Sequence, residues 1–208
     1  MSRRIAVLDY GIGNLGSVAN ALVAIGADAE LVTEAINPKD YFGVVLPGVG
    51  AFGACARELR RFGFDEVVLS AIDAGVPTLG VCVGLQLLYE GSEESPEAKG
   101  LGVFSGTVTK FDCDLPIPQM QWNQLAFGSQ GASSPIYRGI EDGAWMYFVH
   151  SYAAPVGPET SATANYCADY TASAERGSLF GTQFHPEKSS LVGLKLLGNF
   201  VDFTRAKG

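Results

Sequence analysis

Two short segments carry residue types that could perform nucleophilic chemistry. In Gly80-Val81-Cys82-Val83-Gly84-Leu85-Gln86 a thiol sits between two glycines at the end of an apolar run. If a buried strand ends at Val81 and a helix begins after Cys82, the tight turn between them presents the sulfur at its tip. There it meets the positive end of the helix, which favours thiolate, and the N–H of Val83 faces any oxyanion formed beside it. The second segment is Phe184-His185-Pro186-Glu187. Residues two apart in an extended chain face the same way, about 7 Å apart at the backbone, so Glu187 can reach a ring nitrogen of His185. Pro186 stiffens the link. A carboxylate on one nitrogen fixes the tautomer that leaves the other free to take a thiol proton. The pattern predicts Cys82 as nucleophile, His185 as base and Glu187 as orienter.

Most other candidates read as ordinary. Cys55, Cys113 and Cys167 lack glycines on both sides and read as small hydrophobes. The four cysteines have no CxxC spacing, so neither a zinc site nor a disulfide framework is expected. His150 follows an apolar run but has no carboxylate beside it, which makes it a pocket-lining residue rather than a base.

The elements that must position these groups alternate along the first half. Apolar runs at Ile5–Leu8, Ala29–Val32, Val44–Leu46 and Pro77–Val81 read as strands. Helical spacing covers Ser17–Ile25, Ala54–Arg61, Phe64–Ala74 and the segment from Cys82 to Tyr89. Strands apolar on both faces, separated by helices, imply a mostly parallel sheet covered on both sides. After a Ser/Glu/Gly loop at Gly91–Gly100, shorter strands are expected at Gly102–Phe111, Gln119–Phe127, Trp145–Val149, Ala162–Tyr166 and Tyr170–Ala174. A hairpin turn at Glu175–Ser178, a buried strand at Leu179–Phe184 and a closing helix at Leu191–Phe203 follow. The expectation is an α/β, three-layer architecture with helices on both faces and a smaller antiparallel sheet from the second half. No repeat or linker appears, so residues 1–208 read as a single domain. In a parallel sheet functional groups gather at the carboxyl ends of strands, where both Cys82 and His185 fall.

Composition narrows the function classes. Apolar residues make up 47% and charged residues 17%, which is globular rather than disordered. A net charge of -8 argues against a nucleic-acid surface. No stretch approaches the roughly 20 apolar residues that span a bilayer, and the start of the chain is too short in apolar residues for a signal peptide. A reducing cytoplasm is the expected location.

On these residues the chain resembles the class I glutamine amidotransferases, and among them the glutaminase subunits of imidazole glycerol phosphate synthases. The segment Gly80–Gln86 resembles the class-wide nucleophile motif, and His185-Pro186-Glu187 its His-Pro-Glu. The narrower likeness lies in Asp9-Tyr10-Gly11-Ile12-Gly13-Asn14-Leu15, Leu46-Pro47-Gly48-Val49-Gly50-Ala51-Phe52-Gly53, Tyr89-Glu90-Gly91-Ser92-Glu93-Glu94, Trp122-Asn123 and Tyr147-Phe148-Val149-His150-Ser151-Tyr152. It runs from Ile5 to near Phe200. The resemblance implies that Cys82 attacks the side-chain amide of glutamine, giving a glutamyl thioester and ammonia, and that water then releases glutamate. It implies oxyanion-hole N–H groups from Val49 and Val83, with Val49 on a strand that flips. It assigns Gln86, Glu94 and Ser151 to the substrate, Glu94 on the α-ammonium. Asn14, Trp122, Tyr147 and Lys188 would face a separate (β/α)₈-barrel cyclase subunit in a heterodimer, which uses the ammonia and raises glutaminase activity when its nucleotide ligand is bound. No cofactor or metal is implied.

One departure stands out. Where the family reads Pro-His-Met-Gly-Trp-Asn, this chain has Pro118-Gln119-Met120-Gln121-Trp122-Asn123. Two rival readings remain. Another class I amidotransferase, serving anthranilate, purine or pyridoxal synthesis, would share the triad. The stretch Gly11-Ile12-Gly13-Asn14-Leu15-Gly16 also fits G-x-G-x-x-G, with Glu34 near the end of the next strand. Against dinucleotide binding, Asp9 and Tyr10 would put a carboxylate and a ring where a pyrophosphate must approach, and the second half lacks a matching nucleotide-binding unit.

Overall fold

The computed structural model describes residues 4–12 and 15–207, Leu15 by its backbone alone. The first half alternates as its sequence predicts: β1 (Ile5–Leu8), α1 (Leu15–Ala24), β2 (Ala29–Val32), β3 (Gly43–Gly48), α2 (Phe52–Arg61), α3 (Phe64–Asp73) and β4 (Thr78–Cys82). A four-residue helix, α4 (Val83–Gln86), leaves directly from Cys82. It is shorter than the expected run to Tyr89, because the chain turns back after Gln86 to form β5 (Gly91–Ser92).

The second half supplies β6 (Thr107–Lys110), β7 (Gln119–Gln124), β8 (Ala126–Phe127), α5 (Ser129–Ser133), β9 (Trp145–His150), β10 (Tyr152–Ala153), β11 (Thr160–Tyr166), β12 (Ala168–Arg176), β13 (Leu179–Thr182) and α6 (Ser190–Lys207). The main sheet runs β2-β1-β3-β4-β13-β12-β11-β8. Its neighbours from β2 to β13 are parallel, and from β13 outward they are antiparallel. The antiparallel strands β11 and β12 thus extend the main sheet, while β7 and β9 pair as a separate two-stranded ribbon. A third small sheet orders β10-β6-β5.

Every residue of β1, β3, β4 and β13 is buried, so both faces of the parallel region are covered. Helix α1 packs with α6, and α2 with α3. The register decides what meets at the carboxyl edge. Gly48 of β3 pairs with Cys82 of β4, and Thr182 of β13 pairs with Val81. Three adjacent parallel strands therefore end side by side, carrying Val49, Cys82 and the Gln183–Glu187 segment to one place.

The cysteine expectation needs correction: Cys113 and Cys167 are joined in a disulfide, with their Cα atoms 5.8 Å apart. Their sequence separation of 54 carries no local signal. Only the fold lays the segment after β6 against the β11–β12 turn. Among the described residues, no helix is long and apolar enough to cross a membrane.

Candidate active site

The turn at Cys82 is strained by design of its neighbours. Cys82 has φ 55° and ψ −111°, a conformation that L residues rarely adopt and that costs on the order of 1–3 kcal/mol. The glycines on either side make the turn possible. A Cβ at Gly84 would lie 1.9 Å from the Leu46 carbonyl oxygen, and one at Gly80 would meet the Gly84 backbone at 2.8 Å. The sulfur stands at the N-terminus of α4 with the Val83 N–H as the first free donor of that helix.

His185 comes to the sulfur from the neighbouring strand end. Its backbone is fixed from two sides: its N–H donates to the Tyr147 carbonyl at 3.0 Å, and its carbonyl accepts the Ser189 hydroxyl at 2.6 Å. Ser189 Oγ in turn accepts the Tyr147 N–H at 3.0 Å. The imidazole Nδ1 lies 2.8 Å from Glu187 Oε1, with both side chains almost wholly buried. Burial alone would lower the imidazole pKa. The Cys82 sulfur and the Glu187 carboxylate outweigh it and push His185 up to about 9. Nε2 is buried and has no hydrogen-bond partner among the described residues.

These groups open on a pocket of about 570 Å³. Val49, Cys82, Val83, Gln86, Glu94, Ser151, His185 and Lys188 all line it. Glu187 stands behind His185 rather than in the pocket. The Val49 carbonyl accepts the Cys55 thiol at 3.3 Å, and the buried Tyr10 hydroxyl donates to the Pro47 carbonyl, so side chains pin the segment between β3 and α2. Burial pushes the Cys55 thiol up to about 11, which keeps it a protonated donor. Glu94 Oε2 accepts the Phe52 N–H at 2.7 Å. Trp122 and Tyr147 stack edge to face on the β7–β9 ribbon at 6.2 Å, and Lys188 lies 5.9 Å from the Tyr147 ring. Asn14 and Gly13 fall outside the described residues.

Tyr10 corrects one expectation: its ring is turned into the core instead of toward a phosphate. At the start of the Gly11–Gly16 stretch the Gly11 N–H is already taken by the chain's own carboxylate, Asp9 Oδ1, at 3.0 Å. Sequence reasoning passed over Gln183 and the Tyr152 carbonyl. Gln183 Nε2 lies 3.7 Å from Cys82 Sγ. The signal was available: the alternation that pairs His185 with Glu187 also puts Gln183 on the same side.

Residues 6–202 match the family model described as glutamine amidotransferase class-I. The chain belongs to this family. Among similar amidotransferases, the imidazole glycerol phosphate synthase subunit HisH of a Synechococcus strain is 46% identical over 205 residues, covering 96% of this chain and 94% of that protein. The protein of the same name from Moorella thermoacetica is 41% identical over 208 residues, covering 99% and 98%. Solved structures share the fold at lower identity. The PurLQS structure from Thermotoga maritima superposes with a TM-score of 0.74 at 19% identity, covering 98% of this chain and 99% of that one. A crystal structure of a glutamine amidotransferase gives 0.72 at 17%, covering 97% and 98%.

Proposed function

We propose that the chain is the glutamine-hydrolysing subunit of an imidazole glycerol phosphate synthase in histidine biosynthesis, working in the cytoplasm. Supporting this reading are full-length relatives in the forties of percent identity that bear the synthase name. Supporting the chemistry is one observation above all: a strained Cys82 faces an imidazole whose far nitrogen is held by a carboxylate at 2.8 Å. Other class-I subunits share the fold at under 20% identity, which does not extend to their pathways.

With its pKa raised, the His185 imidazole is a strong acceptor for the Cys82 proton, which it takes as the sulfur attacks. The thiolate adds to the carboxamide carbon of glutamine, and the N–H groups of Val83 and Val49 receive the oxyanion. As the C–N bond breaks, His185 gives its proton to the leaving nitrogen, which departs as ammonia. His185 then takes a proton from water, whose oxygen attacks the thioester, and glutamate leaves with the thiolate restored. Both N–H groups of Gln86 are committed inside the protein, so Gln86 meets substrate as an acceptor through Oε1. Glu94 supplies the charge for the α-ammonium, and Ser151 lies beside the same end.

Ammonia in water protonates and ceases to be a nucleophile, so the pocket mouth needs a cover. The β7–β9 ribbon beside it exposes Met120 at 63% and Trp122 at 44%, with Lys188 and Tyr147 adjoining. This surface receives the separate (β/α)₈-barrel cyclase subunit, and the heterodimer makes imidazole glycerol phosphate and AICAR. Turnover of glutamine by the isolated chain is expected to be low and to rise when the barrel carries its nucleotide ligand. The deciding experiment mixes the chain with the barrel subunit and assays glutamate and imidazole glycerol phosphate together. Loss of both with Cys82→Ala is expected; glutamate release by that variant at the normal rate would reject the assignment.

A further inference from the structure

The nucleophile has a second polar neighbour that the triad does not include. Gln183 follows the Thr182–Val81 register pair by one residue, so it stands beside Cys82 in the sheet. Its side chain is fully buried. Its Nε2 points at Cys82 Sγ at 3.7 Å, within reach for an N–H donor to sulfur.

Amide orientation is fixed by a backbone carbonyl two bonds away along the chain of contacts. The Tyr152 carbonyl can only accept, so the Gln86 atom 3.0 Å from it is Nε2. That same nitrogen lies 3.0 Å from Gln183, whose atom there must be the acceptor Oε1. The remaining Gln183 atom, facing the sulfur, is therefore the N–H donor. The Tyr152 carbonyl also accepts from His150 Nδ1 at 2.9 Å, which sets the His150 tautomer. Burial pushes His150 down to about 4, against the hydrogen bond to Tyr152 that raises it, so the ring stays neutral and its polarity does not reverse. His150 and Gln86 thus converge on the Tyr152 carbonyl, Gln86 also donates to Gln183, and Gln183 donates toward the sulfur.

We propose that Gln183 is a further catalytic residue, whose carboxamide N–H, locked through Gln86 by the Tyr152 carbonyl, stabilises the Cys82 thiolate and aims it. This rests on Cys82 being the glutaminase nucleophile. A donor to sulfur favours the charged form over the thiol, because a thiolate accepts more strongly than a thiol. The lock matters as much as the donor. An amide free to turn would present its oxygen to the thiolate half the time. Gln86 therefore acts at the nucleophile as well as at the substrate.

The titratable groups around the sulfur are His185 with Glu187, the buried Cys55 and Tyr10, and across the pocket His150, Glu94 and Lys188. Gln183→Met alters none of them and adds no charge, so a shift in thiolate formation in that variant reports on the amide, whereas Gln183→Glu also sets a carboxylate beside the sulfur. The test is the pH dependence of Cys82 alkylation by iodoacetamide, followed by peptide mass mapping in the full chain. Gln183→Met keeps the volume and loses the donor. Gln183→Glu keeps the acceptor for Gln86 and also loses the donor. Both are expected to move the midpoint up by about one pH unit and to slow glutamine turnover roughly tenfold, the scale of one charge-assisted hydrogen bond. Gln86→Met is expected to shift the midpoint in the same direction by less. An unmoved midpoint in a folded Gln183→Glu protein overturns the proposal even if Gln183→Met fails to fold. Full glutamine turnover by Cys82→Ala would instead strike the underlying assignment, which separates the two failures.

Discussion

At residue scale the site turns on where one proton rests. His185 is pushed up to about 9 by the sulfur and by Glu187, against a burial effect that lowers it. In the proposed reaction the imidazolium protonates departing ammonia, and this form is present below about pH 9 and lost above it. Glutamine turnover is expected to fall on an alkaline limb near that value in a rate–pH profile. Glu187→Gln keeps a hydrogen bond to Nδ1 but removes the charge that helps hold the proton. It is expected to cut kcat by at least about 10²-fold and to move the alkaline limb to lower pH. An unchanged limb in that variant would mean Glu187 only shapes the pocket.

At the scale of elements, the β4–α4 turn is a packing problem before it is a chemical one. Position 84 admits no Cβ, because the Leu46 carbonyl already occupies its place at 1.9 Å. Gly84→Ala must push β3 and α4 apart, and a loss of about 1–3 kcal/mol in stability is expected by denaturant titration. Cys82 alkylation should slow with it, since the sulfur leaves the tip. The β7–β9 ribbon poses the opposite situation. Most of β7 is exposed, and Trp122 is held edge-on by Tyr147. Trp122→Ala is expected to raise the Kd for the barrel subunit by at least about tenfold in a calorimetric titration, as for a central aromatic anchor. Gln119, where the family has histidine, faces the core instead: it pairs in register with His150, and its Oε1 accepts the Tyr170 hydroxyl at 3.0 Å. The departure therefore lies inward from the proposed partner surface, while Gln121 lies on the exposed ribbon.

At the scale of the whole molecule, the two histidines set opposite slopes of stability against pH. His150 has an ordinary value of 6.5 and is pushed down to about 4 by burial. The unfolded chain binds that proton more readily, so the stability His150 contributes is present above about 6.5 and lost as pH falls through 4, about 3 kcal/mol in all. His185 is raised from 6.5 to about 9, so its contribution is present below 6.5 and lost as pH rises through 9. Melting temperature is expected to peak near pH 6.5, and His150→Asn, which keeps a donor for Tyr152, should flatten the acid side. The Cys113–Cys167 link is checked by counting: without reductant neither thiol alkylates, and with it both do, whereas Cys82 reacts in either state.

What the sequence determined by itself was whatever is written within a few neighbouring residues. Glycines around Cys82, the His185-Pro186-Glu187 spacing and the apolar runs each encode local geometry, because steric freedom and side-chain alternation act over one or two residues. The parallel sheet followed from those runs, and so did the elbow. Tertiary structure decided the rest. It chose which strand ends stand side by side, putting Gln183 against a sulfur 101 positions away and Tyr152 against Gln86. It joined two cysteines that no spacing relates, and folded β11 and β12 into the main sheet rather than a separate one. Such pairings arise from how whole elements bury their faces, and a periodicity read along the chain does not contain them.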